Sequence, residues 1–224
     1  MSHRAATAAL PLVLIAACAA AFLRTEQLKL HHSPVGHPHI RQAISPGCGD
    51  PGCRPVAHMR FTLRQAQALT LAMVRPDGTL VRTLVSHRSY PKTLVRVTWD
   101  GTTGGGARAR DGRYALRVTL ADGRNVTIPD AVVVDTVPPD VTIGSVRHGP
   151  SALTIRFSRS KGTGRTLLVV SRGGAVVLQK RVRPHVCRLR YDALAPGRYS
   201  AMLVAVDRAG NRTPDPPTFP VTIR

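Results

Sequence analysis

From Ala57 onward the chain alternates apolar and polar side chains with a period of two. Ala57, Met59, Phe61 and Leu63 interleave with His58, Arg60 and Thr62. Leu69, Leu71 and Met73 follow, then a Pro76-Asp77-Gly78 turn and the apolar positions of residues 80–85. Val95, Val97 and Trp99 define the next strand. Residues 114–120 define another, and after Asp122-Gly123 so do residues 126–134. Short strands separated by frequent Gly, Asp and Pro signals predict an all-β sandwich.

At Asp135-Thr136-Val137-Pro138-Pro139-Asp140 the pattern breaks. Paired prolines have no N–H for a central ladder, so this segment marks a boundary. The alternation then resumes. Leu153, Ile155 and Phe157 interleave with Thr154, Arg156 and Ser158, and a hairpin is predicted around Arg172-Gly173-Gly174. Val176, Leu178 and Val182 are expected to face the core, with Gln179, Arg181 and Arg183 outward. Cys187 and Leu189 face inward in the same way, with Arg188 and Arg190 outward. With a Pro184-His185 turn between them, these strands are expected to be antiparallel neighbours. The expected organisation is a signal or anchor segment at 1–23, a stalk or linker at 24–56, one sandwich at 57–136 and a second at 137–224.

Two local signatures sharpen this. The first is Trp99-Asp100-Gly101, a Gly-rich crossover, and Asp111-Gly112-Arg113-Tyr114 leading into a strand. It resembles the FlgD-like Ig-like domain, named for the flagellar hook-capping protein and common in exported bacterial proteins. The second is Leu194-Ala195-Pro196-Gly197-Arg198-Tyr199, which resembles the tyrosine corner of fibronectin-III and related Ig-like domains. Asp207-Arg208-Ala209-Gly210-Asn211 is similar to the turn many bacterial Ig-like modules place before their last strand. These resemblances imply two tandem Ig-like sandwiches behind an N-terminal transmembrane or signal helix. They imply core roles for Trp99 and Tyr114, and no shared catalytic or ligand residue.

The N-terminus points to export. No charged residue occurs from Ala5 to Leu23, and as a helix this run would be about 28 Å long, near the hydrocarbon thickness of a bilayer. Three readings stay open: an uncleaved single-pass anchor with the Ig-like domains outside, a lipoprotein signal acylated at Cys18 of Ile15-Ala16-Ala17-Cys18, and cleavage after Ala21 to give a secreted protein. In an exported chain Cys48 and Cys53, flanking Gly49-Asp50-Pro51-Gly52, read as a local disulfide. A zinc site with His31, His32, His37 and His39 is the competing reading, although the spacing matches no standard finger. Cys187 reads as a buried thiol serving as a small hydrophobe.

Charge adds a candidate partner. The chain is +20 overall, with fifteen basic and four acidic side chains in 137–224 against twelve and six in 57–136. That balance suggests an anionic polymer, with Arg181, Arg183, Arg188 and Arg190 as its contact stripe. Only 4% of residues are aromatic, too few to spare for base stacking, which argues against nucleic acid. Asp77, Asp100, Asp111 and Asp122 each precede a glycine and read as turn formers. Ser86-His87 has no evident acid partner, and no G-x-S-x-G, H-E-x-x-H or P-loop is present. No cofactor is expected. The functional expectation is a non-enzymatic protein for display, spacing or binding at the bacterial envelope, with an unidentified envelope protein or anionic polymer as partner.

Overall fold

The computed structural model describes residues 33–40 and 42–223, together with Ile15 and residues 17–19. It is all-β and comprises two bodies, each an Ig-like sandwich with its own core. The first contains β1 (Val35–His39), β2 (Gln42–Ile44), β3 (Ala57–Leu63), β4 (Gln67–Val74), β5 (Leu80–Tyr90), β6 (Leu94–Trp99), β7 (Gly112–Thr119) and β8 (Asn125–Val134). One sheet has the order β1-β3-β6, and the facing sheet β2-β8-β7-β4-β5. Alternation does its work here: Met59, Phe61, Leu71, Met73, Trp99 and Leu116 fill the space between the sheets and are almost wholly excluded from solvent.

The second body contains β9 (Val141–His148), β10 (Ala152–Arg159), β11 (Thr163–Arg172), β12 (Ala175–Val182), β13 (Val186–Arg190), β14 (Gly197–Asp207) and β15 (Thr218–Ile223). Its sheets run β13-β10-β9 and β12-β11-β14-β15, with Leu153, Ile155, Leu168 and Leu203 at the centre. The two bodies follow one wiring plan, three strands facing four. The first adds β2 as a fifth strand beside β8.

That added strand, with β1, corrects the linker expectation for the described part of 24–56. Val35 pairs with Leu63 in one sheet, whereas Gln42, Ala43 and Ile44 run parallel to Val132, Val133 and Val134 in the other. Val35, Ile40 and Ile44 are buried in the first core. Pro38 explains the switch. It lies on an edge strand, where a missing N–H is tolerated, and the β1–β3 register slips between Gly36 and His39. The chain then crosses to the opposite sheet.

Three other expectations change. β9 follows the paired prolines directly and pairs with β10, a strand the sequence pattern did not mark. Ser86-His87, for which the polar sequence around it suggests a loop, lies within β5. Val176 is 57% exposed, and the inward positions of β12 are Leu178, Lys180 and Val182. The apolar run 5–23 lies almost wholly outside the described residues, among which no helix is long and apolar enough to cross a membrane. Cys18, which is described, is exposed and free.

Candidate functional site

The region where sequence motifs, charge and irregular backbone converge is the junction between the sandwiches. Cys48 and Cys53 form a disulfide with Cα atoms 6.3 Å apart, an ordinary span for such a bridge. Both cysteines are therefore spent, and a Cys2His2 site is excluded; His31 and His32 lie outside the described residues. The loop closes on itself through Ser45 N–H to the Arg54 carbonyl at 2.8 Å. It then reaches across, with Arg54 N–H donating to the Ala209 carbonyl of the second sandwich at 2.9 Å.

Two glycines show how closely this loop packs. Gly210 has a φ of +93°, and a Cβ there would lie 2.5 Å from both the Cys53 Cα and the Gly52 carbonyl oxygen. Only glycine accommodates both the conformation and the approach. On the other side, a Cβ on Gly101 would lie 2.1 Å from Pro46 Cγ. The glycine of the Trp-Asp-Gly motif is therefore needed because the 45–54 loop lies against it.

The polar groups at the junction hold backbone. Asp207 accepts from Gly210 N–H at 2.7 Å and Asn211 N–H at 2.9 Å, and its second oxygen accepts from Asn211 Nδ2 at 2.7 Å. The same Nδ2 donates to the Asp135 carbonyl at 2.8 Å. Asp135 N–H continues the β2 pairing by donating to the Ile44 carbonyl, and Thr136 donates through N–H and Oγ1 to Asp111. Burial, helped by the neighbouring Asp207 and Asp111 carboxylates, pushes the Asp135 carboxyl above its ordinary range. Residues 135–136 thus bond to both bodies.

Asp100 is committed in the same way. It accepts from Thr102 N–H, Thr102 Oγ1 and Arg82 Nη1 at 3.0, 2.7 and 2.9 Å. Burial alone would raise its pKa, but the Thr102 bonds and the Arg82 charge outweigh it and hold the carboxyl low. Trp99, 1% exposed, donates from Nε1 to the Thr102 carbonyl at 2.8 Å. Among the described residues, no three His, Cys, Asp or Glu side chains cluster as a metal site would require.

No protein-family model matches the chain, and no curated protein matches it in sequence. Among solved structures it is similar to the fibronectin(III)-like modules of Clostridium thermocellum CbhA, at 17% identity over 86% of this chain and 92% of that one, with a TM-score of 0.43. It is also similar to the chicken CNTN1 FN1-FN3 domains, at 14% identity over 84% of this chain and 67% of that one, with a TM-score of 0.46. What makes the two bodies sandwiches is their own sheet order and the core each encloses.

The arginine stripe needs correction. β12 pairs with β11 and β13 with β10, so Arg181 and Arg188 belong to opposite sheets rather than to one outer face. At Pro184-His185 the chain switches sheets instead of making a hairpin; His185 takes a φ of +70° and Arg183 meets Val186 in an isolated bridge. Arg190 is ion-paired with Asp192, Nε to Oδ1 at 3.0 Å, and this bond lowers the Asp192 carboxyl. A residue the pattern did not single out, Lys180, spans the two sheet edges by donating from Nζ to the Arg188 carbonyl at 2.7 Å. Its signal was its phase with Leu178 and Val182. Cys187 is buried beside it, and burial pushes its thiol up to about 11, leaving it an inert hydrophobe.

Proposed function

We propose that the chain is an exported, non-enzymatic binding or display protein of the bacterial envelope, held at the membrane through residues 5–23 or by a lipid on Cys18, or released after cleavage. Its two sandwiches would present a fixed surface at a set distance from the anchor. The observation that carries this reading is the Cys48–Cys53 disulfide docked on the second sandwich, because such a bridge persists in an oxidising compartment. The acidic side chains add support. Asp100, Asp111 and Asp207 hold turns and connections, as structural modules use them. The motifs resembling a FlgD-like domain fit the same picture, since Trp99, Gly101 and Tyr114 shape core and turns.

Fractionation of cells making the full chain, followed by protease treatment of intact cells, tests this. The expected result is a membrane-associated or released chain with its sandwiches open to external protease and no free thiol at Cys48 or Cys53. A cytosolic, protected chain with both thiols reduced would overturn it.

A further inference from the structure

Between the sandwiches lies a crevice of about 610 Å³, lined by side chains from both. Arg54 comes from the disulfide loop, Arg165 and Arg181 from β11 and β12, and Arg208 from the turn after β14. The one carboxylate lining it is Asp207, whose oxygens already accept from Gly210 and Asn211. Arg165 and Arg181 also line an adjoining hollow with Arg159 and Arg183, and Arg181 and Arg183 line a third with Lys180 and Arg188. The three share walls and form one continuous track. Among the described residues, none of Arg54, Arg165, Arg183 or Arg208 has a carboxylate partner.

We propose that this track binds a linear polymer with a phosphate backbone and no bases. A row of like charges is unfavourable until a polyanion neutralises it, and each phosphate bound releases condensed counterions. Arginine suits the task because its planar fork meets a phosphate with two parallel hydrogen bonds. The track has no aromatic residue along its length, so it offers phosphate contacts without base stacking. It also crosses the domain junction, so the bound form needs both sandwiches in the observed arrangement. The inference rests on the proposed envelope role only for the source of such a polymer.

The test measures binding of the purified full chain to inorganic polyphosphate, and to a single-stranded oligonucleotide of equal charge, across a salt series. Two triple variants are compared. Arg165→Gln, Arg181→Gln and Arg183→Gln removes three charges from the middle of the track; Arg60→Gln, Arg96→Gln and Arg198→Gln removes the same charge from exposed sites elsewhere. The track variant should bind polyphosphate at least about tenfold more weakly at low salt and flatten the log–log salt slope by about two, at roughly 0.7 per lost phosphate contact. The control variant should change affinity less than about threefold, and both should keep the parent unfolding midpoint. Equal losses in the two variants would overturn the site, showing only general basicity. An oligonucleotide bound more tightly than polyphosphate would overturn the ligand class. Neither result bears on whether the chain is exported, which the protease experiment decides separately.

Discussion

The two sandwiches build the same corner and then cover it differently. In each, a tyrosine near the start of a central strand donates to a carbonyl four residues upstream. Tyr114 bonds the Arg110 carbonyl at 2.5 Å and Tyr199 the Ala195 carbonyl at 2.7 Å. Tyr114 then meets the edge of Trp99, ring centroids 5.0 Å apart at 62°. Tyr199 has no tryptophan, and the Arg172 guanidinium lies 5.6 Å above its ring. The hydrogen bond fixes how the chain enters the strand in both bodies, and both rings are buried members of their cores. What differs is the neighbour: an aromatic ring in the first body and a guanidinium in the second.

That contrast sets an order of effects. Trp99→Ala removes the largest buried side chain of the first core and should cost about 3–5 kcal/mol there. Hydrogen exchange during denaturation should show β7 losing protection while β14 keeps it. An unchanged midpoint would mean that Trp99 contributes little to the core. Tyr114→Phe and Tyr199→Phe remove the same bond in two settings, and each should cost about 1 kcal/mol. Denaturant midpoints of the two variants test this, and costs differing by more than that amount would show that the two bonds are not equivalent. Arg172→Ala should cost the second sandwich about 0.5–1 kcal/mol, the scale of an exposed cation–π contact. A loss as large as that from Trp99→Ala would erase the difference between the two corners.

Residues with strong local meaning were legible in the sequence. Trp99 alternates with Val95 and Val97, and its burial followed from that phase. The two cysteines flank a Gly-Asp-Pro-Gly turn, and their pairing followed from proximity. Pairing between distant strands was not legible. Val186–Arg190 shows which side chains face inward, but alternation carries no information about which neighbour supplies the hydrogen bonds. Pro184-His185 therefore read as a hairpin, although the chain there changes sheets. Residues 35–44 were hidden because Pro38 and the histidines around it imitate a linker. Their strand character comes from vacant places beside β3 and β8, a tertiary cause that no local pattern records. The electrostatic site moved for the same reason. Arg181, Arg183, Arg188 and Arg190 were expected on one outer face, whereas the proposed track follows from the sheet change at Pro184-His185 and from the disulfide loop, which brings Arg54 to the same crevice as Arg165 and Arg208.

Residues 42–56 join the sandwiches rather than merely precede them. Nitrogen-15 relaxation of the full chain tests this most directly, because two bodies tumbling independently relax at different rates. If the disulfide loop, Asn211 and residues 135–136 hold the junction as observed, amides of β7 and β14 will report one shared correlation time. Two separate correlation times, each suited to a single sandwich, would contradict the account.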